Sequence, residues 1–92
     1  MKKITMFYLI HCPYCRQASR AIDELTAENP AYGDIEIDYV EESMQPSVAE
    51  QYDYYYVPTM FFGKEKQYEA RPSESYEECK TNVRRVFDAA LA

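Results

Sequence analysis

His11-Cys12-Pro13-Tyr14-Cys15 is the stretch on which the reading of this chain turns. Two cysteines three positions apart fall on neighbouring positions of one helical turn, at a separation that an S–S bond can close. Pro13 predicts where that helix begins, because proline suits the first helical position, where a missing N–H has no partner to lose and the fixed φ is already helical. Cys12 is then the cap residue. The free N–H groups and the positive dipole end of the helix point at its sulfur, an arrangement that stabilises a thiolate.

Working outward, the segment before the motif, Lys3-Ile4-Thr5-Met6-Phe7-Tyr8-Leu9-Ile10, is β-branched, aromatic and nearly continuously apolar, and reads as a central strand covered on both faces. It is too short, and lacks the small-residue cleavage site, for a secretory signal. After Pro13 the apolar positions Tyr14, Ala18, Ala21, Ile22 and Leu25 keep a helical period until Asn29-Pro30 stops it. Gly33-Asp34 reads as a turn and Ile35 to Val40 as a second strand. Strand, helix and strand make a βαβ unit, which demands a parallel pair. Pro46 opens a short helix through Val48, Ala49 and Tyr52, and Thr59 to Phe62 and Lys66 to Ala70 form a hairpin across Gly63-Lys64-Glu65. The last helix carries the stripe Tyr76, Cys79, Val83, Val86, Phe87 and Ala90, with Ser75 and Glu78 in the spacing of a capping box. The order βαβαββα predicts an α/β fold with a four-stranded mixed sheet flanked by three helices, two on one face and one on the other. The four tyrosines between Tyr52 and Tyr56 read as an aromatic wall beside the cysteines.

A length of 92 residues predicts one domain spanning 1–92, with a core large enough to stand without several disulfides or a metal. Its three cysteines, two of them in one C-x-x-C, are not the dispersed even set of a secreted scaffold, and suit a reducing compartment such as the cytoplasm. A net charge of −6, with the basic residues scattered, argues against nucleic acid as partner, and no apolar run approaches the ~20 residues of a membrane span. No metal site is expected. Cys12, Cys15 and His11 lack a fourth ligand, since Cys79 belongs to a core stripe.

Cys12-Pro13-Tyr14-Cys15 after a first strand, with Val57-Pro58-Thr59 ahead of a hairpin and a final helix, resembles the glutaredoxin branch of the thioredoxin fold over nearly the whole chain. The resemblance implies a monomeric thiol–disulfide oxidoreductase acting on protein or small disulfides, with no tightly bound cofactor and with glutathione as a co-substrate. It implies that Cys12 is the nucleophile and Cys15 the resolving thiol. It implies also that Pro58 follows a cis peptide bond, and that Pro13, Tyr14, Val57, Pro58 and Thr59 meet the substrate, the backbone of Val57 pairing with it as an added strand. His11, Arg16 and Arg71 are candidate modulators of the site. As alternatives, the resemblance allows a glutathione-dependent iron–sulfur cluster carrier, or an electron donor to ribonucleotide reductase fed by thioredoxin reductase.

The departures are specific. Glutaredoxins usually follow the hairpin with a Gly-Gly pair and an Asp that hold glutathione; here Tyr68 and Glu69 stand at the glycines and Pro72 near the Asp, which predicts crowding and repulsion of that anionic tripeptide. A lysine often found ahead of the first cysteine is replaced by Leu9, and the buried Asp of thioredoxins by Met6. Redoxins of class Ib ribonucleotide reductase carry W-S-G-F-R-P-D after the hairpin, and of this Arg71-Pro72 is retained.

Overall fold

A computed structural model describes residues 1–92. The first strand, β1 (Ile4–Tyr8), leads into α1 (Pro13–Glu28), and a short 3-10 helix (Pro30–Asp34) carries the chain to β2 (Ile37–Glu41). A four-residue helix, α2 (Pro46–Ala49), and an irregular stretch precede β3 (Thr59–Phe62), β4 (Glu65–Glu69) and α3 (Tyr76–Leu91). The sheet order is β2-β1-β3-β4, with β1 parallel to β2 and antiparallel to β3, and β3 antiparallel to β4. The four-stranded mixed sheet with three α-helices is the predicted α/β thioredoxin fold.

Alternation along β1 splits the core. Ile4 and Met6 join Ala18, Leu25, Val83 and Phe87 on the face covered by α1 and α3. Phe7 points the other way, to Val40 and Phe61 beneath α2. That thinner face is closed by aromatics: the Phe7 ring lies 4.7 Å from Tyr52 and 5.0 Å from Tyr54, centroid to centroid. Tyr52 and Tyr54 are therefore core cover, while Tyr55 and Tyr56 are exposed, so only part of the tyrosine run can act as a wall beside the cysteines.

Local signals explain the ends of the helices. Asn29 closes α1 through its N–H to Leu25 O, and its side chain then caps the 3-10 helix at Ala31 N, so the expected turn at Gly33-Asp34 is helical and β2 starts at Ile37. At α3, Ser75 Oγ accepts from Glu78 N and the Glu78 carboxylate accepts from Ser75 N, closing the capping box. Gly63 turns the β3–β4 hairpin at φ +56, the left-handed region in which a Cβ is disfavoured. No helix is long and apolar enough to cross a membrane.

Candidate functional site

Both cysteines of the motif sit where the end of β1 meets α1, and their surroundings differ sharply. Cys12 is the N-cap of α1, half-buried, and its Sγ accepts from the backbone N of Cys15 at 3.4 Å. Its thiol also lies 3.8 Å from Val57 O, to which it can donate, so the motif and the segment before β3 meet at one sulfur. Cys15, one turn in, is 4% exposed. Burial pushes its thiol up to about 12, against the one favourable contact to the sulfur, the N–H of Leu9 at 3.5 Å. Both are free thiols.

The approach to Cys12 is fixed by a buried carboxylate. Glu41, at the end of β2, accepts from Ile10 N through Oε2 at 3.1 Å and from Ser43 N and Oγ through Oε1. Those bonds hold its carboxyl below the usual range, the Ser43 hydroxyl contributing most. The loop Leu9–His11 is thereby tied to the sheet immediately ahead of the cap.

Beyond Cys12 opens a small groove, about 190 Å³, lined by Tyr14, Tyr56, Val57, Ala70, Arg71 and Pro72. Tyr14 forms one wall, and its phenol oxygen accepts from Ser73 N at 2.7 Å. Ser73 has φ +68, an unusual conformation for a residue with a Cβ, so the Tyr14 bond braces the tightest point of the turn. The peptide bond Val57–Pro58 is cis. The Val57 N–H makes no backbone hydrogen bond within the chain.

The other residues singled out from sequence fall into three groups. Pro13, His11 and Arg16 are exposed around the cap, and Arg71 is exposed at the rim of the groove, in an ion pair with Glu78 at 2.7 Å. Val57 is half-buried and reaches the groove. Thr59 departs from the expected substrate contact in its side chain, which is fully buried with Oγ1 donating to Tyr68 O at 2.8 Å and so fastens β3 to β4. Pro58 is likewise fully buried. Cys79 is at 0% exposure beside Tyr68 Oη, and burial pushes its thiol up.

Tyr68 and Glu69 also depart from their expected roles. β4 sends the Tyr68 ring into the core under α3, where its hydroxyl donates to Glu74, so it cannot crowd a ligand beside Cys12. The Glu69 carboxylate is occupied by the N–H groups of Tyr55 and Tyr56 and by Lys66. Sequence reasoning missed Glu41, and it named Glu69 and Tyr56 without the roles they take here; for Tyr56 the available signal was its place directly before Val57-Pro58, while nothing in the sequence tells which N–H groups a lone glutamate will find. No group of three or more His, Cys, Asp or Glu side chains is placed to hold a metal ion.

Among solved structures, the chain is similar to one described as a malarial protein, at 19% identity with a TM-score of 0.58, covering 89% of this chain and 92% of the other. It is similar to thioredoxin 1 from the thermophilic eubacterium Thermosipho africanus TCF52B, at 19% identity, TM-score 0.57 and coverage of 98% and 99%. It also resembles part of the zinc-bound form of human ERp44, at 18% identity and TM-score 0.56, over 92% of this chain but 26% of that one. At these identities the likeness is one of fold. No curated protein sequence matches the chain. The family model for thioredoxin matches residues 2–86, nearly the full length, and the chain belongs to the thioredoxin family, a family of thiol–disulfide oxidoreductases.

Proposed function

We propose that this protein is a glutaredoxin-like dithiol reductase of protein disulfides, with Cys12 as nucleophile and Cys15 as resolving thiol. The observation that carries the assignment is the asymmetry of the pair: Cys12 is reachable at a helix N-cap, while Cys15 is buried with its thiol pushed up to about 12. The Cys12 thiolate, its proton given to solvent, attacks one sulfur of a substrate disulfide. The substrate S–S bond breaks, one half leaves as a thiolate and takes a proton, and the other half stays bonded to Cys12. Cys15 then attacks Cys12 Sγ, its proton passing to the departing second thiolate. The substrate gains two electrons and leaves as two thiols, and the protein is left with a Cys12–Cys15 disulfide that an external donor must reduce.

For that donor we favour a flavoprotein reductase of the thioredoxin reductase kind over glutathione, in a reducing cytoplasm. What supports this is the state of the N–H groups around the Arg71–Ser75 turn, where a glutathione carboxylate would seek partners. Ser73 N–H is taken by Tyr14, Glu74 N–H by Arg71 O, and Ser75 N–H by Glu78. Arg71, in the same turn, is paired with Glu78.

The test is a Cys15→Ser variant exposed to a disulfide-bonded peptide. A stable mixed disulfide on Cys12, found by mass spectrometry, is the expected result; an adduct on Cys79 or none at all overturns the role assignment. Reduction of the oxidised wild type by NADPH with thioredoxin reductase should outpace reduction by glutathione with glutathione reductase, and the reverse order overturns the donor assignment.

A further inference from the structure

The wall of the groove made by Tyr56 and Val57 belongs to no strand or helix, since residues 50–58 join α2 to β3 in irregular backbone. A side chain from β4 gives that wall its shape. Glu69 Oε2 accepts from Tyr55 N at 2.6 Å and from Tyr56 N at 2.7 Å, and Glu69 Oε1 accepts from Lys66 Nζ at 2.8 Å. Hydrogen bonds to an ionised carboxylate are roughly twice as strong as neutral ones, so three of them on one side chain make a firm bracket. Burial opposes the charge on Glu69, yet Lys66 and the two N–H groups hold its carboxyl below the usual range. The next residue continues the bracket, with Ala70 N donating to Pro58 O at 3.0 Å. Across the groove, Tyr14 is pinned separately by Ser73 N.

We propose that Glu69 is a positioning residue for substrate selection: by holding Tyr55 and Tyr56 it keeps the groove beside Cys12 open as an apolar subsite for the side chain flanking the substrate cysteine. The inference rests on the disulfide-exchange reading above and names its substrate class, a protein or peptide disulfide with a bulky apolar residue next to the cysteine. Tyr14, Tyr56, Val57, Ala70 and Pro72 offer that residue carbon surface on both sides. A carboxylate in the same place meets only Arg71, already paired with Glu78.

Two peptide disulfides differing by Phe or Asp beside the cysteine test this, with 2-hydroxyethyl disulfide as a substrate too small to span the groove. Wild type should favour the Phe peptide by about tenfold in kcat/KM, the scale expected for burying an apolar side chain. Glu69→Ala should bring that ratio close to one, mainly through KM, with turnover of 2-hydroxyethyl disulfide within about twofold of wild type. Glu69→Gln, which keeps an acceptor oxygen for the two N–H groups, should retain most of the preference. If Glu69→Ala does not fold, Tyr56→Ala removes the wall directly and should abolish the preference. Equal use of the two peptides by wild type, or an undiminished preference in Glu69→Ala, overturns the inference. Failure of wild type on all three disulfides overturns the disulfide-exchange reading and this inference with it.

Discussion

Alkylation should single out one thiol of three. Cys15 is 4% exposed and burial raises its thiol to about 12 from an ordinary value of 9.0. That displacement disfavours the buried thiolate and leaves Cys15 almost wholly protonated at pH 7. The Leu9 N–H at 3.5 Å from Cys15 Sγ works against burial without cancelling it. Cys79, at 0% exposure, is shielded on all sides by the α3 core and its thiol is also pushed up. Cys12 alone combines access with a helix N-cap. The reduced protein treated briefly with limiting iodoacetamide at pH 7, digested and mapped by mass spectrometry, should carry a single label, on Cys12. Labelling at Cys15 equal to or faster than Cys12 would refute the reasoning, since it would mean that burial does not separate the two thiols.

Two further outcomes follow from the α3 end of the fold. Ser75→Ala removes the cap acceptor for Glu78 N and should cost about 1 kcal/mol in urea-induced unfolding, with the midpoint lowered and the slope unchanged; no loss of stability would show that the capping box is idle. Glu74 is buried with its carboxyl raised by burial, so the stabilisation from protonating it is fully present below its ordinary value of 4.5 and is lost as pH rises through the raised folded value. Glu74→Gln should therefore gain in melting temperature relative to wild type as pH goes from 4 to 7, and a difference flat across that range would contradict the sign.

Much of this architecture could be read directly because its signals are local. Pro13 after Cys12 predicts a helix start, and the structure places Cys12 at the cap and Pro13 in the first turn. Ser75 with Glu78 predicts the start of α3, and the stripe Cys79, Val83, Val86, Phe87 and Ala90 is buried throughout. The readings that did not survive depend on register and on distant partners. Counting from Pro58 put Tyr68 beside the cysteines, but the hairpin is irregular between Met60 and Phe61: Met60 pairs with Tyr68 while Phe61 pairs with Lys66. One extra residue in β4 reassigns the faces, and no residue type in Lys66 to Ala70 announces it. The bond from Ser73 N to Tyr14 spans 59 positions and needs the finished fold to exist. Thr59 was readable as part of a motif but not as buried, because burial follows from its place between β1 and β4.

The most direct test of the central claim, that Cys12 is the residue through which electrons leave this protein, is the initial rate of insulin disulfide reduction by wild type, Cys12→Ser and Cys79→Ala under one dithiothreitol-driven assay. The account predicts background rates for Cys12→Ser and a rate within about twofold of wild type for Cys79→Ala, a buried thiol outside the site. Full turnover by Cys12→Ser would contradict it.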